Sequence, residues 1–148
     1  MSRRVQVGLA GIVILVVAGM VIIGRLSPEN KVKGVVNHQL DLFNSGELDA
    51  VYATLTSGAR QTCPQATVQS RASGNIGLPG SEIGLKGMQV RIEGGRAYVT
   101  GWVAVGGRLI FHVDDSDPLV YVNQGGVWLL DLNNRARAAC ASSSLGVP

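Results

Sequence analysis

The sequence predicts an α+β domain standing behind one N-terminal transmembrane helix, and three observations carry that reading. The nineteen positions from Val5 to Ile23 hold no charged residue. After Ser27, apolar residues return at helical spacing through two successive segments. From Leu85 to Leu132, short β-branched and aromatic runs are broken by Gly-Gly at 94–95, 106–107 and 125–126. Such doublets supply the positive φ angles that tight hairpin turns require. Helices grouped ahead of a strand meander make an α+β fold, with two or three helices packed on one face of a curved antiparallel sheet. At 148 residues the chain holds one core and a short accessory segment. It divides into an anchor over 1–26, a domain over 27–134 and a partly disordered C-terminal tail over 135–148.

The anchor comes first. Nineteen helical residues span roughly 28 Å, close to the hydrocarbon thickness of a bilayer. A soluble helix shows a polar face, whereas here Gln6 is the one clearly polar residue. A cleaved signal peptide is the competing reading, but the apolar core is long for one and no small-x-small site precedes GRLSPEN. Arg3 and Arg4 precede the span, while Arg25, Lys31 and Lys33 follow it with Glu29 offsetting them. A short basic tail ahead of a first span stays inside, which places the domain outside.

Net charge is +3, yet Arg3, Arg4 and Arg25 account for it: ten basic and ten acidic side chains remain from Pro28 onward. The domain is neutral, so the composition excludes a nucleic-acid-binding face.

In the domain, Ser27-Pro28-Glu29 is a helix start, with a capping hydroxyl, proline in the first turn and an acid at the positive end. Val32, Val35, Val36, Leu40 and Phe43 form its apolar face, and Gly46 ends it. Ser45 is the expected cap of a second helix with the face Leu48, Val51, Tyr52, Leu55 and Ala59, its last turn weakened by Gly58. A third helix is expected from Pro64 to Arg71, then loop from 72 to 81. In the meander, Pro118 within VDDSDP marks a turn or a bulged bend in one long strand.

The join FNSGELDAVY between two amphipathic helices, with the closing strand GGVWLLDL, resembles the NTF2-like superfamily from about Pro28 to Leu132. It is similar in particular to the small membrane-anchored or exported bacterial members. The resemblance implies a cone: a strongly curved sheet wrapped round helices, a pocket at the open end, and frequent dimers. It implies no activity, because the superfamily holds enzymes, binding modules and transport adaptors alike.

Candidate chemistry is sparse. Cys63 and Cys140 are the only cysteines. In an oxidising compartment they pair and tie the turn after the second helix to the tail, contributing on the order of 4 kcal/mol; the alternative is two unpaired thiols. His38 and His112 are too few and too scattered for a metal site. Asp114, Asp115 and Asp117 lack the glycine and terminal glutamate of a calcium loop. The glycine doublets lack the Lys-Ser/Thr of a phosphate loop, and no other cofactor motif is present. Trp102, Phe111, His112 and Tyr121 are the candidate lining of the pocket. Isomerase- and cyclase-type members of the superfamily use a desolvated carboxylate beside a Tyr. Tyr52, Tyr98, Tyr121 and Asp131 are pieces of such a site, but no motif fixes any of them to a catalytic position.

The functional expectation is a non-catalytic accessory or interaction module on the outer face of the bacterial cytoplasmic membrane. Its partners are the bilayer, through the N-terminal helix, and another protein or a second copy. The alternatives are a carrier of a small hydrophobic ligand in the cone pocket and an isomerase- or cyclase-like enzyme.

Overall fold

The computed structural model describes residues 27–67 and 80–144. The expected anchor over 1–26, most of the loop from 72 to 81 and the last four residues of the tail lie outside them. Among the described residues no helix is long and apolar enough to cross a membrane. The elements run α1 (Pro28–Asn44), α2 (Leu48–Ala53), α3 (Ser57–Thr62), β1 (Ile83–Glu93), β2 (Arg96–Val105), β3 (Arg108–Val113), β4 (Leu119–Gln124), β5 (Val127–Asp131) and α4 (Asn134–Ser144). The fold is α+β, with a five-stranded sheet whose named strands all pair antiparallel.

Helix α1 begins as its sequence demands: Ser27 Oγ accepts from the Asn30 N–H at 3.3 Å, with Pro28 in the first turn. It ends at Gly46, whose φ of +79° is open to glycine without strain. There Gly46 N–H donates to Phe43 O at 3.1 Å and Glu47 N–H to Leu42 O at 2.9 Å, closing a Schellman motif. Ser45 is therefore spent closing α1. It does not cap the next helix, which starts after Glu47 with no side-chain cap.

The second expected helix is broken in two. Residues 54–56 leave the helix and run beside the outer edge of β5. Leu130 N–H donates to Thr54 O and Thr56 N–H to Leu130 O, each at 3.0 Å. Thr56 then caps α3, its Oγ1 accepting from Ala59 N–H at 3.1 Å. A buried strand edge and a threonine cap outweigh helix continuation in a stretch carrying β-branched Thr54 and Thr56. Of the third expected helix, residues 65–67 are helical, Pro64 is not, and 68–71 lie outside the described residues.

All three glycine doublets close two-residue hairpin turns or the equivalent reversal. Gly106 and Gly107 both have positive φ, as do Gly125 and Gly126, whereas at 94–95 only Gly94 does. The first two match a type I′ pattern and the third a type II′. Strands β3 and β4 both pair with the same edge of β2, β3 along Gly101 to Val105 and β4 along Arg96 to Val99. They are one long strand bent at residues 114–118, with a further bulge at Ile110, which has no partner on β2. Val32 and Val36 of α1 pack on Ala97 and Val99 of β2, with Tyr121 and Trp128 completing the buried cluster.

Within the expected tail, α4 is helical from Asn134 to Ser144. Its start is held from a distance: the two carboxylate oxygens of Asp117 accept from Asn134 N–H at 2.8 Å and Arg135 N–H at 2.9 Å. Asn133 Oδ1 adds a bond from Ala136 N–H at 3.0 Å. The disulfide Cys63–Cys140, with Cα atoms 5.3 Å apart, joins α4 to the end of α3.

Candidate functional site

An apolar cavity of about 210 Å³ opens between α1 and the sheet face packed against it. Leu40, Phe43, Leu85, Val103, Leu119 and Leu130 supply most of its wall. One polar chain borders it and leads away from it. Tyr121 Oη donates to Gln39 Oε1 at 2.6 Å, Gln39 Nε2 donates to Thr54 Oγ1 at 2.7 Å, and Thr54 Oγ1 donates to Val51 O at 2.5 Å. Tyr121 is 2% exposed and Gln39 8%. Burial pushes the Tyr121 phenol well above its usual range, so it stays a neutral donor. The polar atoms facing the cavity are occupied with one another, which leaves hydrocarbon as the surface a guest would meet.

The four candidate lining residues separate. Tyr121 lines this cavity. Phe111 faces the same side of the sheet, opposite Val103, but borders a neighbouring groove beneath α4, with the Arg135 guanidinium 4.7 Å from its ring centroid. Trp102 lies on the other face, because Ala97 and Val99 point at α1 and the alternate positions of β2 point away. His112 is its cross-strand partner, ring centroids 4.8 Å apart, at the rim of that groove. Gln39 was not among the expected residues. Its signal was a polar residue on the buried stripe of α1, one position ahead of Leu40.

The pieces of the enzyme-type site are dispersed as well. Tyr52 Oη donates to Arg60 O at 3.0 Å, and Tyr98 lies under the Arg91 guanidinium at 4.7 Å. Asp131 Oδ1 accepts from Leu132 N–H at 2.9 Å and Arg137 Nη2 at 3.2 Å. Among the described residues, no Asp or Glu lines the cavity, and no three His, Cys, Asp or Glu stand close enough to hold a metal ion. Asp114 accepts from the Ser116 hydroxyl and N–H, which hold its carboxyl below the usual range at an exposed turn.

A second feature lies on the far side of the bend. Every residue of β3 from Arg108 to His112 is exposed, and Leu109, Ile110 and Phe111 are 56%, 58% and 38% exposed. Such a run is an edge that another chain can extend. No model of a known protein family matches the chain, and no curated protein matches it significantly.

Proposed function

We propose that this chain is a membrane-tethered NTF2-like domain on the outer face of the cytoplasmic membrane, acting as a non-catalytic interaction module within a larger membrane assembly. The observation that carries the reading is the apolar run Leu109-Ile110-Phe111 on an open strand, which has no role in the core. Helices on one face of a sheet bent by bulges, with a cavity beneath α1, agree with the cone of that superfamily. An anchor ending near residue 26 leaves the first turn of α1 next to the lipid, and Gly126 and Val127 flank that half of the helix with Lys31 and Gly34. The cavity borders the second half of α1, roughly 12–22 Å from its start, and Asn44 at the far end bonds Ile83 beside the β2–β3 turn, so both the cavity and β3 face neighbouring proteins instead of lipid.

A photo-crosslinking amino acid at Leu109 in the full-length protein, activated in intact cells, tests this. One discrete protein adduct, absent when the label sits at Val127, is expected. No adduct above background would remove the reading.

The cavity favours a second reading, a carrier of a small apolar ligand. Its volume is below the usual range for drug-sized ligands, so the guest would be one alkyl segment or one ring. Mass spectrometry of the protein released from native membranes without delipidation tests it, and an empty protein would end it. The isomerase-like reading lacks the acid it needs beside Tyr121 among the described residues.

A further inference from the structure

The cavity wall has no place for a polar head, because its side-chain polar groups are bonded to one another. A guest with a polar end must therefore reach out of the cavity. A groove between α1 and the start of β5 meets the cavity only at Gln39, whose amide is already held by Tyr121 and Thr54. The groove beneath α4, of about 300 Å³, is joined to the cavity differently: Val103 and Leu119 line both spaces. Both side chains are half-buried, so what separates the two spaces is aliphatic and free to move aside. Ala136 and Ala139, three residues apart on one helix face, roof the groove. That roof is fixed at two points, by the Asp117 carboxylate at its first turn and by the Cys63–Cys140 bridge.

The rim of this groove says which head fits. Asp117 is committed to the start of α4, and the Asp114 carboxylate accepts from the Ser116 hydroxyl and N–H and from the Asp117 N–H. Asn133 Nδ2 donates to Asp117 O and its Oδ1 accepts from Ala136 N–H. The His112 ring leans on Trp102. The Arg135 guanidinium is left: it lies over the Phe111 ring and makes no ion pair or hydrogen bond among the described residues. Its fork of N–H donors calls for an acceptor. Asp114 and Asp117 outnumber that one cation at the groove, so a carboxylate head would be repelled and an uncharged carbonyl suits the place.

We propose that the groove beneath α4 and the cavity form one site for a single-chain acyl ester, whose carbonyl accepts from Arg135 and whose chain runs past Val103 and Leu119 into the cavity. Together the two spaces reach the usual size of a small-molecule site, which the cavity alone does not. This rests on the carrier reading and names its ligand.

The test uses the full-length protein in vesicles of ether-linked phosphatidylcholine, which carry no ester of their own. Three photoactivatable probes share one dodecyl chain with a diazirine near its end and differ in the head: methyl ester, free acid and amine. Peptide mapping should place the ester's label on the cavity wall, at Leu40, Phe43 or Leu85, with about tenfold the yield of the other two. Arg135→Met keeps the stem over Phe111 but removes the donors, and should lower the ester's yield about tenfold. Arg135→Lys, which keeps a cationic donor, should recover part of it. Unchanged unfolding midpoints establish that both variants are folded. Equal labelling by all three probes, or an Arg135→Met variant labelled as well as the wild type, overturns the proposal, while label in the cavity still upholds the carrier reading. No label on the cavity wall from any probe overturns both.

Discussion

Replacing Tyr121 by Phe removes one oxygen and leaves the ring, so nearly all the resulting change comes from the bond to Gln39. That bond is 2.6 Å long and both partners are buried. Without it, Gln39 Oε1 is a buried acceptor without its donor, a loss worth about 1–3 kcal/mol. Gln39→Leu costs a similar amount from the other side, since it strands the phenol. The double variant Tyr121→Phe/Gln39→Leu removes both polar ends together and should cost less than the two single losses added, by about 1–2 kcal/mol. Urea unfolding of the full-length protein in detergent, followed by fluorescence of buried Trp128, measures all three. The same phenol fixes an alkaline limit. Its pKa is raised in the folded state, so folding is favoured below the unfolded value near 10 and stability declines as pH rises above it, by up to about 1.4 kcal/mol per pH unit. Tyr121→Phe should lose that part of the slope. Single losses that add to within about 0.5 kcal/mol, with the same alkaline slope in both proteins, would refute the buried relay.

Three further effects follow from the same contacts. Reducing the Cys63–Cys140 bridge opens a loop of 77 residues. The chain-entropy relation makes that loss about 4.5 kcal/mol, visible as a lower urea midpoint with reductant present. Asp117→Ala strips two bonds from the start of α4 and should cost about 1 kcal/mol, with faster amide exchange confined to that helix. Gly106→Ala should cost more than Gly125→Ala in thermal melts, because both have positive φ but a Cβ at 106 would stand 2.2 Å from Gly80 O while one at 125 meets nothing within 4 Å.

Much of the fold was legible because its signals are local. The glycine doublets needed no neighbours to mark reversals, and the Val32, Val36 and Leu40 spacing marked the buried face of α1. Features set by distant contacts were not. Leu55 fits a helical stripe from Leu48 to Ala59, and only β5 alongside shows why the chain breaks there. The tail reads as weakly structured until Asp117, in the bend before β4, reaches its first turn. At the site, Trp102 and Phe111 sit on adjacent strands and read as neighbours, but strand alternation sends them to opposite faces. Gln39 was hidden for the converse reason: a polar residue on a buried stripe reads as an interruption until Tyr121 supplies its partner.

Docking on β3 requires that the strand be covered when the protein is at work. Hydrogen exchange of the full-length protein in its own membranes reads this directly, because alternate amides of residues 108–113 point away from β2 and exchange freely unless a partner accepts them. Slow exchange along the whole strand is the predicted result. Fast exchange at those positions in the untouched membrane would mean that no chain docks there.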